Sequence, residues 1–340
     1  MVSSPPATDS PTLLPTILRL MGGYQVTQAV HVMARLRIAD ILRDGPLPVE
    51  AIAERCDADP DTLRRLLRAL AGIDVLHLDD EGRYAITPLG ALLRTDHPQS
   101  VWAAAELIGD PLRWDTWEDL YRTIRTGESA FERVHGMPLF AYLAEHPDLS
   151  ARFDDVMTMS TRLSMPGVLD ACDFSASRCI VDVGGGQGEF LREVLRRYPE
   201  ARGIVFDLPH LREAREIAGT PEADRVTVVS GDMFESVPAG GDAYTLRRVL
   251  HDWPDDACRR LLRNCRQAIA PDGSLLVVDM VVPEDGSNAP MNWNDLHLLM
   301  MCGGKERTRD EFATLFAETG FRLVDVHPAG SVSVIEGVPV

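Results

Sequence analysis

The stretch 179–188, CIVDVGGGQG, decides the architecture of this chain. Ile180, Val181 and Val183 form a short apolar run that carries one acid, Asp182, and then breaks into three successive glycines. Beyond Gly188, residues 189–198 have the spacing of an amphipathic helix. The pattern predicts a buried strand, a tight turn and a helix start. Glycine is required where backbone passes close to a ligand or takes positive φ. Gly184, Gly186 and Gly188 are therefore expected to floor a pocket in the crevice of an open α/β sheet, beside a helix's free amides. A purely structural turn is the alternative. The run departs from the GxGxxG register of dinucleotide sites, because the last glycine position, counted from Gly184, holds Glu189 and the glycine falls one residue early at Gly188. Asp182 would repel a pyrophosphate and suits a cationic or amine-bearing ligand.

Outward from this point, the chain alternates strands and helices from Ser177 onward. Strands are expected at 179–183, 203–207, 226–230, 242–247, 274–279, 321–327 and 331–336, and helices at 189–197, 210–218, 256–270 and 308–318. Alternation of this kind predicts an α/β fold with a mostly parallel sheet and helices on both faces. The last two strands are too close for a crossover helix and should form an antiparallel hairpin.

Such sheets bind ligands at the carboxyl ends of their strands. Asp207 ends the second strand about 20 residues after the glycine turn, where a carboxylate accepts both hydrogens of a ribose diol. After the third strand come Asp232, Met233 and Phe234, an acid with adaptable apolar neighbours that suit an adenine edge and face. Acids at three successive strand ends point to a nucleoside site. The fourth strand leads through Arg247 to His251, Asp252 and Trp253. His251 follows a strand rather than lying on an apolar helix face, and neutral imidazole is well suited to remove a proton near neutral pH. It is the candidate general base, with a core or capping histidine as the bland alternative. Its orienting carboxylate is sought in Glu306 of the GGKER loop, in Glu336 of the last strand, or in Asp252, which could instead cap the following helix. There is no HExxH and no cluster of His and Cys at ligand spacing, so no metal is expected. Nucleophilic catalysis lacks a GxSxG motif or a cysteine beside a base.

The first half of the chain has a different character. Residues 1–12 read as a disordered tail, and 13–42 as an apolar helical stretch, interrupted at Gly22-Gly23, that needs cover from its own domain or a second subunit. Residues 46–93 pattern as a winged helix. Arg64, Arg65 and Arg68 lie on the helix that would enter a groove, but Glu50, Glu54, Asp57, Asp59 and Asp61 flank them and no basic tail follows. A scaffolding or dimerisation role is expected, not nucleic-acid binding. Residues 98–176 are helical and aromatic-rich, with Met137, Phe140, Phe153 and Met157 as candidates to face a flat organic substrate.

With 340 residues, 45% of them apolar, the chain has material for more than one core. A formal charge of −18 argues against a nonspecific nucleic-acid or anionic-membrane surface. Six scattered cysteines without a CxxC pair suggest a reducing compartment. With no signal peptide or transmembrane run visible, a cytoplasmic location is expected.

DVGGGQG at 182–188, FDLP at 206–209, GDMF at 231–234, LRRVLHDWPDD at 246–256 and GGKERTRDEF at 303–312 together resemble the S-adenosylmethionine-dependent small-molecule O-methyltransferases of the plant caffeate and bacterial polyketide or antibiotic type. The resemblance covers nearly the whole chain. It implies a helical and winged-helix dimerisation domain at 13–97, a helical linker at 98–176 contributing to the acceptor pocket, and a class I methyltransferase domain at 177–340, assembled as a homodimer. It further implies that Asp182, Gly184 and Gly186 line the methionine part of the cofactor, that Asp207 and Leu208 hold the ribose, and that Asp232, Met233 and Phe234 surround the adenine. Arg247 stands where many relatives have a lysine at the cofactor site. His251 is implied as catalytic base, bracketed by Glu306 and Glu336. Met157, Met159 and Ser160 fall in the segment that closes over cofactor and acceptor in relatives, and Trp293, Asn294, His297, Leu298 and Met301 where the acceptor pocket usually lies. The expected reaction is methylation of a phenolic hydroxyl, with S-adenosylhomocysteine as the other product. Hydroxylation, decarboxylation or C-methylation on the same scaffold is the alternative within catalysis, and a ligand-responsive winged-helix regulator the alternative outside it.

Overall fold

A computed structural model describes residues 13–209, 216–285 and 287–340. The chain divides into two units, the first ending at Trp114 and the second running Asp115–Val340. The expected tail at 1–12 and most of the expected helix at 210–218 lie outside the described residues, and 216–219 form a turn.

In the first unit the helix Leu13–Met21 stops at Gly22 and a second helix begins at Gly23, so the interruption falls at the glycine pair. Leu13, Leu14, Ile17, Leu18, Leu20 and Met21 are all exposed, and no residue of this first helix is buried. The winged-helix region follows. Its second helix, Pro60–Ala71, starts with proline at the first turn and Asp59 as cap, the carboxylate accepting from the Thr62 amide at 2.8 Å. Leu63, Leu67 and Leu70 then share one face and pack into a core with Ile38, Ile52 and Tyr84. Three short antiparallel strands complete it: β1 (Leu47–Pro48), β2 (Leu76–Leu78) and β3 (Arg83–Ile86), in the order β1-β3-β2. Of the stretch 98–176, residues up to Trp114 cluster with this unit, and Trp102 Nε1 donates to the Ala34 carbonyl at 3.0 Å.

The second unit is built on a seven-stranded sheet: β4 (Cys179–Val183), β5 (Arg202–Asp207), β6 (Val226–Ser230), β7 (Ala243–Arg247), β8 (Ser274–Asp279), β9 (Phe321–Ala329) and β10 (Val332–Pro339). Their order is β6-β5-β4-β7-β8-β10-β9, with β10 antiparallel to both neighbours and the five strands β4 to β8 parallel. Two apolar layers sandwich the sheet. On one face Val181, Val183, Tyr244 and Leu246 pack with the helices Asp255–Ala268 and Arg309–Glu318. On the other, Ile180, Val205 and Val278 pack with Pro147–Ala171 and Glu189–Arg197. The chain reverses direction of travel across the sheet at β4, which has β5 on one side and β7 on the other, and this opens a crevice at its carboxyl end. Among the described residues, no helix is long and apolar enough to cross a membrane.

Candidate active site

The glycine turn leaves β4 with Gly184, Gly186 and Gly188 at φ +71°, +54° and +82°. A Cβ on Gly184 would stand 2.7 Å from Val249 Cγ2, so neither the conformation nor the space admits a side chain there. The Gly186 amide donates to Asp207 Oδ2 at 2.7 Å, and Asp207 Oδ1 accepts from the Leu208 amide at 2.7 Å. Asp207 thereby fastens the turn to the end of β5. Asp232 accepts from the Phe234 amide at 2.8 Å. Asp182, fully buried, accepts from Thr245 Oγ1 at 2.6 Å, while its Oδ2 is buried without a hydrogen-bond partner. Burial pushes this carboxyl up to about 7, against the pull of Thr245 and Arg247. These residues, with Leu208, Met233, Phe234, Arg247 and Arg248, line a cavity of about 330 Å³, within the range of small-molecule sites.

An aromatic wall closes the same cavity. Phe140 stacks on Trp253 with centroids 5.3 Å apart, Phe153 meets Phe140 edge-on at 6.3 Å, and Phe234 meets Trp253 edge-on at 4.7 Å. Phe140, Phe153 and Met157 thus share a cavity with the glycine turn, whereas Met137 is half-buried outside its lining. Ser160 is not in the lining either; it and Ser164 accept from the buried Arg247 guanidinium at 3.2 Å each. Burial lowers Arg247 to about 10.

His251 sits in a short helical turn after β7 and is buried. Its Nδ1 lies 3.2 Å from Glu306 Oε1 and 3.3 Å from Asp279 Oδ1, and Nε2 lies 3.5 Å from Asp252 Oδ1. Two carboxylates at Nδ1 favour the tautomer protonated there and leave the Nε2 lone pair as proton acceptor. Desolvation holds the imidazole below its ordinary pKa, opposed by Asp279. The ring does not itself line the 330 Å³ cavity; its neighbours Asp252 and Trp253 do. Arg307, fully buried, fixes the turn: Nη1 donates to the Leu250 carbonyl at 2.7 Å and Nη2 to the Trp253 carbonyl at 2.8 Å, with Asp255 as counter-ion.

Glu336 does not bracket His251. In the hairpin register Ser333 lies opposite Asp279 and Glu336 opposite Leu276, which puts Glu336 roughly 10 Å down the strand. Its carboxylate meets His327 Nε2 at 3.4 Å instead. Asp279, which takes the second flank, ends strand β8 and was open to the strand-end rule that singled out Asp207. Asp252 leaves the next helix uncapped: that helix begins on Pro254 with no side-chain cap bond.

The apolar helix Ala289–Cys302 reaches Glu306 beside His251. Asn294 Nδ2 donates to Glu306 Oε1 at 2.5 Å, and Asp295 Oδ1 accepts from the Glu306 amide at 2.7 Å. His297 stacks on Trp117 at 6.0 Å, Leu298 and Met301 are buried, and Trp293 is 66% exposed. None of the five lines the cavity of the glycine turn. His251, Asp279 and Glu306 bring three donor atoms within 4.8 Å, a set that suits a cation. Sharing of the Nδ1 proton between the two acids explains the cluster without one.

Glu306 has a testable electrostatic signature. Burial raises its carboxyl to about 7, whereas an unfolded glutamate titrates near about 4.3. The folded state therefore holds more protons between these values, and stability falls as pH rises through that window. Glutamine at 306 keeps the bond to Asn294 and carries no such dependence. The melting temperature of Glu306→Gln, taken relative to the parent, should rise from pH 4.5 to about pH 7 and then level off. A flat difference would show that this carboxyl is not perturbed by burial.

An O-methyltransferase domain model matches residues 117–322, and an O-methyltransferase dimerisation domain model matches 18–96. The phenazine O-methyltransferase of Lysobacter antibioticus is 42% identical over 327 residues, covering 95% of this chain and 96% of that protein. The 3-amino-4-hydroxybenzoate 4-O-methyltransferase of Streptomyces cremeus is 41% identical, covering 91% and 86%. Among solved structures, an O-methyltransferase from neocarzinostatin biosynthesis, in complex with S-adenosylhomocysteine and 1,4-dihydroxy-2-naphthoic acid, superposes with a TM-score of 0.81 at 33% identity, covering 93% of this chain and 96% of that one. With a glycine-turn pocket, a histidine held between two acids and both domain models in sequence, the chain belongs to the O-methyltransferase family.

Proposed function

We propose that this protein methylates an aromatic hydroxyl of a natural product, with S-adenosylmethionine as donor and His251 as the proton acceptor. The observation that carries the reading is His251 Nδ1 between Glu306 and Asp279 beside the glycine-turn cavity. The residues present fit the cofactor. The orphaned Asp182 Oδ2 calls for a cationic donor such as an α-ammonium, Asp207 accepts a ribose diol, and Met233, Phe234 and Trp253 offer an apolar slot for a base. Bound S-adenosylmethionine supplies an electrophilic methyl on a positive sulfonium. The chain's own contribution is to place the hydroxyl and take its proton. A phenol with pKa near about 10 is a poor nucleophile when neutral, so a base whose Nε2 is free at neutral pH raises its reactivity. The acids at Nδ1 hold the tautomer and favour the imidazolium that forms.

Relatives named for phenazine and aminohydroxybenzoate acceptors support a planar hydroxyaromatic. The dimerisation domain and the exposed first helix support a homodimer, and six unpaired cysteines support a cytoplasmic location. The test is incubation of the purified protein with S-adenosylmethionine carrying a labelled methyl group and a panel of hydroxybenzoates, hydroxynaphthoates and hydroxyphenazines. The expected result is label on an acceptor oxygen. Label on carbon, or acceptor turnover by hydroxylation or decarboxylation without label, would replace this reading with the alternative chemistries.

A further inference from the structure

Arg248 stands apart among the charged residues of the cavity. The other charged groups in the lining already have protein partners: Asp207 and Asp232 take backbone amides, Asp182 takes Thr245, Arg247 takes two serines, and Glu189 pairs with Arg162 and Arg192. Arg248 is partly buried and lines the cavity, yet its side chain makes no hydrogen bond and no ion pair within 4.0 Å among the described residues, and its Nε is buried without a partner. Its charge acts on His251, Asp252, Asp279 and Glu306, so a residue of the cavity lining is also felt by the His251 cluster.

The backbone fixes that aim. Arg248 has φ +55°, and it is the one residue other than glycine with positive φ in the described part of the second unit. Its amide donates to the Val278 carbonyl at 3.0 Å, tying the strained residue to β8. A left-handed arginine costs free energy that the surrounding structure must offset, and such outliers collect at functional sites. The buried Nε without a hydrogen-bond partner carries a further cost that an incoming acceptor would remove. The planar fork of donors selects a carboxylate over a point anion.

Resting on the methyl-transfer reading above, we propose that Arg248 binds a carboxylate carried by the acceptor, so that the substrate class is hydroxyaromatic acids rather than neutral phenols. The guanidinium grips one edge of the ring and presents the hydroxyl on another edge to His251. The cofactor's own α-carboxylate is the other source of the same chemistry, and the experiment separates the two.

The probes are 1,4-dihydroxy-2-naphthoate and its methyl ester, titrated by calorimetry into the full-length protein saturated with S-adenosylhomocysteine. The parent protein is expected to bind the acid roughly ten- to a hundredfold more tightly than the ester. Arg248→Met should abolish that preference while leaving the ester's affinity and that of S-adenosylhomocysteine within about twofold, and Arg248→Lys should restore part of it. Unchanged cofactor-product affinity also shows that the variants are folded. Equal affinities in the parent protein, no binding of either probe, or a preference that survives in Arg248→Met would overturn the assignment. Loss of S-adenosylhomocysteine binding in an Arg248→Met protein whose melting temperature matches the parent's would overturn it in favour of the cofactor's carboxylate. Failure of methyl transfer is read in the labelled assay, where neutral phenols are included, and leaves this binding ratio untouched.

Discussion

Replacing His251 by glutamine is expected to lower kcat by about a hundredfold or more while leaving S-adenosylhomocysteine affinity unchanged. The two halves of this expectation have separate grounds. His251 is absent from the lining of the glycine-turn cavity, so cofactor binding has no contact to lose. Its Nε2 is the only basic position left once Nδ1 is committed to Glu306 and Asp279. Glutamine can still bond these acids but accepts no proton. The pH profile adds a second readout. Burial holds the imidazole below its ordinary pKa, so the inactive protonated form accumulates only on the acid side of about 6.5. The parent enzyme should lose kcat there and keep it at neutral pH, and the residual activity of His251→Gln should lack that acid limb. Turnover equal to the parent at pH 7.5 would remove His251 from the reaction.

The second large effect is expected at Gly304, which contributes no functional group. A Cβ at this position would stand 2.0 Å from the His251 carbonyl oxygen and 2.7 Å from the Asp252 carbonyl carbon. Both are backbone atoms that cannot rotate away, and the Lys305 amide donates to the same His251 oxygen at 2.9 Å. Gly304→Ala must therefore push apart the GGKER loop and the turn that carries His251. Overpacking of this kind costs about 1–3 kcal/mol, and a displacement of about 1 Å at a reacting group costs about a hundredfold in rate. Chemical denaturation and kcat should fall together in this variant, in contrast to His251→Gln, where kcat falls alone. An alanine variant with parental midpoint and parental kcat would mean that the loop is slack and does not position His251.

These two positions illustrate what was legible in the sequence. The strands could be placed to within a residue or two at most of their ends because apolar runs, glycine turns and strand-end acids are local signals, and Asp207 was found by its distance from the turn. His251 and Glu306 could be named from their motifs, but their meeting depends on a long-range contact. Glu336 shows the limit: a hairpin register decides which residue of the last strand comes level with Asp279 beside the histidine, and one chain carries no record of register beyond its alternation. The helix at 289–302 was recognisable as apolar, yet that it turns Asn294 to Glu306 and His297 to Trp117, and stays out of the glycine-turn cavity, depends on packing. Arg248 escaped notice because its distinction is conformational. Nothing in LRRVLHD says which arginine turns left-handed, and only the missing partner reveals it.

The apolar helix at 13–21 has a consequence for how two copies come together. Each copy brings a formal charge of −18 to the encounter, so approach is opposed by like-charge repulsion, while contact through this helix, in the homodimer proposed above, would be driven by removing leucine, isoleucine and methionine side chains from water. Dissolved electrolyte weakens the first and leaves the second nearly intact. Brine should therefore tighten this pair, whereas it loosens assemblies joined by surface ion pairs.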